Sequence, residues 1–487
     1  MSHAHLAERR LLLPARRLVQ QPVVRIAALV VVFVWGVYQS LWKIGATNAQ
    51  VDEGLYAKSG WEYLHGIETS NLEHPPVAKY LFGFAQVVLG HEFEHARIVS
   101  GVAVVLGAAV TFLWFRNELG WWTATFAAAM WMLLPRGTYD DQNRIDRYAL
   151  LDPVMVFFMI AAMACAWRWI RAEKWWWIAA AGALMGLSVT SKVSTAWVLP
   201  AFLILPVLWR RWKQLAIGGG IFVAAFTVVF VLVYLPVGLV HGVSYMLRFQ
   251  SEHDADGHIV LVAGQRYQFP PWWAGLWFAL QGVGKLVAVS LVVSVFAAIV
   301  NRPNRLVVFL VVGAAGLLVF YLGISNVALP NYYYPWLWFA VALAAIGVRG
   351  LVLERWFGTA VGIIVIAIVI LVSVRLSVTT WHFERAGIGR VPGYLAGLGR
   401  DGDVLTSDVN TAVLNPYFGG HGRIDGRGPF DAIVVGRPDG VPTDKDLAAA
   451  LAGAQGRLRV VHIDDVTIYL PPATVTLHGT TLKVTGT

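Results

Sequence analysis

The chain has 487 residues, of which 57% are hydrophobic and only 14% charged. A water-soluble protein carries about a quarter of its residues as charges, so lipid must solvate most of this one. The net charge of +9 does not indicate nucleic acid, because the basic residues sit in short loops between apolar runs, as in cytoplasmic membrane loops.

The amino end, MSHAHLAERRLLLPARRLVQQ, carries Arg9, Arg10, Arg16 and Arg17 ahead of a long apolar run, with no small-residue cleavage site. It reads as a basic cytoplasmic tail (1–23) and a signal anchor. Runs of about 18 or more apolar residues then predict bilayer-spanning helices. They fall near 24–46, 96–115, 119–135, 151–170, 176–190, 193–209, 214–240, 274–300, 306–324, 333–348 and 357–375, about 11 transmembrane helices. With the amino end inside, the inner loops contain Arg116, then Arg168, Arg171 and Lys174, then Arg210, Arg211 and Lys213, then Arg302 and Arg305, then Arg349 and Arg355. Positive charge in every inner loop and an odd number of spans agree with that orientation. Tryptophans at span ends (Trp121, Trp122, Trp175 to Trp177, Trp272, Trp273) read as interfacial anchors. The single cysteine, Cys165, lies in an apolar run and rules out an internal disulfide.

Three outer loops, 47–95, 136–150 and 241–273, are too long to be simple connections. The transmembrane domain spans 24–375. After it, 376–487 alternates strand-like runs (DAIVVGRP, RLRVVHIDDVTIYL) with a helix-like DKDLAAALAGA, predicting a small extracytoplasmic α/β domain.

The polar residues with chemical potential collect in these loops. TNAQVDEGLYAK places Asp52 and Glu53 just beyond the first span, at the start of an amphipathic helix whose dipole favours negative charge. A carboxylate there is a helix cap or a general base, and Glu53 suits the cap better than Asp52. LEHPPVAKYLFG follows, with Glu73 and His74 before a rigid proline pair. In RGTYDDQNRIDRYALLDP, Arg136, Arg144 and Arg147 lie where positive charge is disfavoured; they pair with Asp140, Asp141 or Asp146, or clamp a phosphate. GLSVTSKVSTAW puts Lys192 at the outer junction of two spans, where it snorkels, pairs or binds an anion.

VDEGLYAK, EHPPVAKYLFG, DRYALLDPVMVFF and GLSVTSKVSTAW, in that order and spacing, resemble the protein O-mannosyltransferase family. This family belongs to the polytopic GT-C glycosyltransferases, which use lipid-linked sugars. FQSEHDADGHIVLVAGQRYQFPPWW is also similar to the aminoarabinose-type lipid A transferases, and the likeness extends over 24–350. The third outer loop is too short for the β-trefoil that eukaryotic members insert there, which leaves the acceptor class open. The resemblance implies an inverting transfer of a sugar, mannose being the family's, from a polyprenyl-phosphate donor to a hydroxyl of a protein, glycolipid or polysaccharide. It implies Asp52 as catalytic base, and Arg147, Lys192 and Arg144 at the donor phosphate. Glu53, Glu73, His74, Asp152, Glu252 and His253 would border the acceptor or pocket. The implied location is the cytoplasmic membrane, multi-pass, with the site and the C-terminal domain outside. The implied partners are a lipid-linked sugar, the acceptor and the bilayer, without nucleic acid and with no required cofactor.

Other motifs compete. HEFEH at 91–95 matches the zinc-protease pattern, with His91 and His95 one helical turn apart. HDADGH at 253–258 offers Asp254, Asp256 and His258 as divalent-metal ligands. QGVGKL lacks the leading glycine and the Ser or Thr of a phosphate loop. A secondary transporter would show repeated halves, and none is evident.

Overall fold

The computed structural model describes residues 20–484, apart from Val51, Glu68, 139–140, 302–303, 354–356, 410–416, Gly419 and Arg427. The basic segment 1–19, Asp140, Arg302 and Arg355 therefore lie outside the described residues, as does the Asp141 side chain. The first helices are α1 (Pro22–Leu41), α2 (Glu53–His65), α3 (Val77–Leu89), α4 (Phe93–Leu119) and α5 (Trp121–Leu133). A short hairpin, β1 (Gly137–Thr138) and β2 (Asp141–Arg144), leads to α6 (Leu151–Ala172) and α7 (Trp175–Val189). A 3-10 turn at Val193–Val198 runs into α8 (Leu199–Leu208), and α9 (Trp212–Tyr234) and α10 (Leu239–Asp256) follow. A second hairpin, β3 (Val260–Val262) and β4 (Gln265–Tyr267), precedes α11 (Ala274–Val283) and α12 (Lys285–Asn301). The membrane part closes with α13 (Arg305–Val319), α14 (Tyr334–Leu353) and α15 (Phe357–Trp381).

Seven of the described helices are long and apolar enough to cross a membrane, or eight when α11 and α12, bent by 112° at their junction, count as one span. Eleven were expected from hydropathy. The shortfall lies mainly at 119–135, 176–190 and 193–209, which emerge as the 13-residue α5, the 15-residue α7 and the 10-residue α8 with its preceding turn. Thirteen residues rise only about 20 Å, short of the roughly 30 Å of hydrocarbon. Within the bundle, α5 is buried along most of its length, and α7 packs on α6 and α9. Hydropathy alone does not separate a core helix from a span.

Burial orders the bundle. The spans α6 and α14 have 72% and 67% of their apolar windows buried and form the centre, whereas α9, at 11%, faces lipid. Tertiary contact between α2 and α3 depends on a pair of glycines: a Cβ on Gly60 would stand 2.1 Å from the Lys79 carbonyl oxygen, and one on Gly83 as close to the Gly60 carbonyl. The first and last spans are joined by a polar seam. Trp35 Nε1 donates to Ser377 Oγ (2.6 Å), and Gln39 Nε2 donates to the Ser373 carbonyl (2.8 Å). Within hydrocarbon such groups must find protein partners.

Beyond α15 the chain forms α16 (Val391–Ala396), β5 (Val404–Ser407), β6 (Gly422–Arg423) and β7 (Ala432–Val435), then α17 (Lys445–Gly453). The last strands are β8 (Arg459–Ile463), β9 (Val466–Leu470), β10 (Val475–His478) and β11 (Thr481–Val484). Five strands form one mixed sheet in the order β6-β5-β7-β9-β8, and Asp444 caps α17 through the amides of Asp446 and Leu447 (2.9 and 3.1 Å). This α/β unit grips the segment ahead of α2. Arg385 Nε donates to the Gly45 carbonyl (3.0 Å), the Ala386 amide to Asn48 Oδ1 (3.2 Å), and the Ala49 amide to the Tyr417 hydroxyl.

Candidate active site

The two adjacent acids part company at the start of α2. Glu53 is fully buried and accepts from Arg97 Nε (2.5 Å) and Nη2 (2.8 Å), from the Ala149 amide (2.9 Å) and from the Gln50 amide (3.1 Å). Arg97, also fully buried, spends its remaining N–H groups on the carbonyls of Ile44, Thr47 and Asn48. Glu53 is thus the latch of this loop, and not the cap expected for it, since no side chain caps α2. Asp52 makes no helix-capping bond; its carboxylate has the Tyr56 hydroxyl at 3.5 Å. Burial raises the Asp52 pKa, and Lys192 is the cation that most opposes that shift. Burial also keeps the Tyr56 phenol protonated far above its ordinary range, so Tyr56 retains its proton to donate toward Asp52.

Lys192, Asp152 and the α13–α14 loop build the opposite wall. Lys192 Nζ donates to both oxygens of Asp152 (2.9 and 3.1 Å) and lies 4.4 Å from the Tyr332 ring centre. Asn331 Nδ2 donates to Asp152 Oδ2 (2.9 Å). Asp152 comes from the first turn of α6 and Lys192 from the turn after α7, the irregular backbone between apolar helices. An ammonium has three donors, so this arrangement leaves one for a ligand. Lys192, His74, Ser194, His253, Tyr321 and Tyr332 line a cavity of about 280 Å³. His74 is neutral there: burial and the Lys79 and Lys192 ammonium groups push its imidazole down to about 3.

Arg144 and Arg147 form a separate cluster. Arg144 pairs with Asp146 and donates to Gln39 Oε1 (3.1 Å) and the Met132 carbonyl. Arg147 donates to the carbonyls of Gln39 (2.7 Å), Trp42 (2.7 Å) and Lys43 (3.2 Å) at the end of α1, with the Phe383 ring 5.1 Å away. Burial works to raise the Asp146 carboxyl, but Arg136 and Arg144 more than offset it and hold it below the usual range. The donor-phosphate expectation placed Arg144, Arg147 and Lys192 together. The structure instead ties Arg147 to the carbonyls left unsatisfied at the end of α1 and Arg144 to Asp146, the Gln39 side chain and the Met132 carbonyl of α5.

The remaining candidates divide similarly. Glu73 Oε2 is buried without a hydrogen-bond partner among the described residues, while the Glu73 carbonyl accepts from Gln250 Nε2 (2.9 Å). Glu252 is exposed on α10, one residue from His253. Asp254 accepts from the Asn326 amide (2.7 Å) and side chain (3.3 Å), and the His253 and His258 rings lie 5.3 Å apart. Among the described residues no three His, Cys, Asp or Glu side chains converge to hold a metal, so Asp254, Asp256 and His258 do not form the expected set. The HEFEH motif is also otherwise used. Helix α4 begins only at Phe93, His91 stacks on Trp61 (3.8 Å between ring centres), His95 Nδ1 contacts the Gly90 carbonyl (2.7 Å), and Glu94 pairs with Arg385. The two histidines therefore do not share a helical face.

Asn331, Tyr332, Tyr56 and Lys79 belong to this region and were not singled out from sequence. Lys79 is fully buried in apolar α3 and donates to the His74 carbonyl (2.7 Å) and Asn71 Oδ1 (3.2 Å). A lone lysine in an apolar helix was the available signal. For Asn331 and Tyr332 the polar run SNVALPNYYY between two spans was the cue.

A helical bundle with polar loops and a sugar-sized cavity at the end carrying an α/β domain is the GT-C architecture. Within that class, residues 90–250 match the family model described as dolichyl-phosphate-mannose-protein mannosyltransferase. The chain is 27% identical over 312 residues to the undecaprenyl phosphate-alpha-4-amino-4-deoxy-L-arabinose arabinosyl transferase 2 of Pseudomonas fluorescens, covering 61% of this chain and 53% of that protein. It is 29% identical over 245 residues to the corresponding transferase of Pseudomonas aeruginosa, covering 48% and 42%. The chain thus spans about half, or less, of the curated relatives it matches. Its fold is similar to ArnT from Cupriavidus metallidurans bound to undecaprenyl phosphate (TM-score 0.60, 14% identity, covering 92% of this chain and 97% of that one). It is also similar to the oligosaccharyltransferase AglB of Archaeoglobus fulgidus, solved with an inhibitory peptide and a dolichol-phosphate (TM-score 0.55, 10% identity, covering 82% and 64%).

Proposed function

We propose that this chain is an integral membrane glycosyltransferase that takes a sugar from a polyprenyl-phosphate carrier and transfers it to a hydroxyl acceptor. The observation that carries the reading is the pairing of an unlatched, desolvated Asp52 with a Lys192 whose charge is oriented toward the cavity by Asp152 and Asn331. The relatives named above, by their descriptions, use undecaprenyl-phosphate and dolichyl-phosphate sugars, which supports the choice of donor.

In this mechanism the acceptor hydroxyl attacks the anomeric carbon from the face opposite the phosphate. Its proton passes to the Asp52 carboxylate as the carbon–oxygen bond to phosphate breaks. The electron pair leaves with the polyprenyl phosphate, and the free donor of Lys192 stabilises the charge that develops there. The anomeric centre inverts. Neutral His74 and Tyr332, both in the cavity lining, bind sugar hydroxyls. Arg144 and Arg147 serve by fixing the loop between α5 and α6. Mannose and 4-amino-4-deoxyarabinose are the leading sugars, and the site lies at the outer face of the cytoplasmic membrane.

The test is incubation of purified full-length protein with a panel of polyprenyl-phosphate sugars, following release of the free carrier. Consumption of one donor by the wild type and not by Asp52→Asn supports the reading; no consumption of any donor, with any offered hydroxyl acceptor, overturns it.

A further inference from the structure

A second and larger cavity, of about 620 Å³, lies between the β1 hairpin, the α11–α12 break and the last third of α15. The break occurs at Gly284, whose φ of +81° is the left-handed conformation that lets α12 leave α11 at 112°. The glycine-rich stretch QGVGKL, unsuited to a nucleotide loop, forms this corner. Two cations line the cavity, Lys285 in the first turn of α12 and Arg375 on α15. Both are exposed, and neither side chain has an ion-pair or hydrogen-bond partner among the described residues.

Depth makes this unusual. Arg375 precedes the last residue of its span, Trp381, by six positions, or about 9 Å of helix rise. Leu286, Val289, Leu371 and Val378 beside the two cations are exposed apolar side chains on lipid-facing helices. An unpaired charge at that level is costly and marks a ligand or an ion path. Snorkelling accounts for one long side chain reaching the interface. It does not account for two cations from different helices meeting in one cavity, beside the Thr138 and Thr379 hydroxyls and the first amides of α12.

We propose that this cavity seats the phosphate of a membrane lipid, with Lys285 and Arg375 as its counter-charges and the exposed apolar strip along its chains. The occupant is a lipid because the cavity opens among lipid-facing side chains, and anionic because both fixed charges are positive. The site is distinct from the one assigned above to transfer, since Tyr332 lines the smaller cavity while Tyr333 turns to the Gly137 carbonyl (2.7 Å) on the β1 side. The proposal stands whether or not the transfer reading does.

The experiment is native mass spectrometry of the full-length protein in neutral detergent, titrated with phosphatidylglycerol, with polyprenyl monophosphate, with diacylglycerol and with inorganic phosphate. We expect the phosphate-bearing lipids to be retained and diacylglycerol not. Each of Lys285→Gln and Arg375→Gln should weaken retention about tenfold, the loss of one charged hydrogen bond. Arg375→Lys, which keeps the charge, should bind within a few-fold of wild type and guards against a folding defect in the glutamine variants. Preference between the two phosphate lipids identifies the source. Equal retention of diacylglycerol, full displacement by inorganic phosphate, or wild-type retention by the doubly substituted protein would overturn the proposal.

Discussion

Asp52→Asn and Glu53→Ala, one residue apart, should separate chemistry from stability. Glu53 accepts four N–H groups, two of them from a guanidinium with no exposed surface. Its removal leaves the Arg97 charge buried and unpaired, a loss of about 3–5 kcal/mol. Asp52 has one long contact, at 3.5 Å, and its charged form is disfavoured by burial. Asparagine is nearly isosteric and needs no ionisation, so the change in stability should stay within about 1 kcal/mol and favour the variant. Transfer should respond oppositely, with Asp52→Asn losing roughly 10²- to 10⁴-fold in turnover, the contribution of a general base. The assay pairs urea unfolding in detergent, followed by tryptophan fluorescence, with single-turnover sugar transfer on the protein that remains folded. Glu53→Ala should unfold early yet keep substantial turnover per folded molecule. If Asp52→Asn unfolds as early as Glu53→Ala, or keeps more than a tenth of wild-type turnover, the division of roles is wrong.

Three further outcomes follow from the same geometry. Lys192→Ala strands Asp152 without its cation, so it should lower transfer sharply and weaken donor binding more than acceptor binding; Lys192→Arg should restore part of the donor affinity, which titration with a non-hydrolysable donor analogue can measure. Because burial raises the Asp52 pKa, transfer should fall with decreasing pH through a midpoint above that of an ordinary aspartate, and Asp52→Glu should move that midpoint. The stability sign is the reverse: protonated Asp52 favours the fold, so its contribution is full at low pH and disappears as pH rises through the raised value. His74 is held neutral down to about 3, so His74→Gln should leave the pH profile of transfer unshifted while changing the apparent affinity for the sugar.

Hydropathy and charge made the polytopic architecture, the long loops and the terminal α/β unit legible. The exact number of spans was less legible, because short apolar helices such as α5 and α7 fall below the length that marks a span. Asp52, Lys192 and Asp152 were readable from motif order, and they do come together. The roles of Arg144 and Arg147 were not, since nothing in the chain order says that the end of α1, about a hundred residues earlier, will offer Arg147 its carbonyls and Arg144 the Gln39 side chain. Asn331 and Tyr332 were hidden for the same reason: a loop between two late spans becomes part of the site only when α14 packs against α6.

The grip of the C-terminal unit on residues 45–49 fixes an order of assembly. Arg385, Ala386 and Tyr417 hold the short segment that presents Asp52, yet they are translated more than 330 residues after it. A nascent chain with every span inserted already holds this segment through Arg97 and Glu53, but it lacks the contacts from Arg385, Ala386 and Tyr417. On the proposed reading, transfer waits until the last domain has folded against residues 45–49. A chain ending at residue 381 should insert normally and transfer nothing, and the missing activity should return when segment 382–487 is supplied as a linked domain.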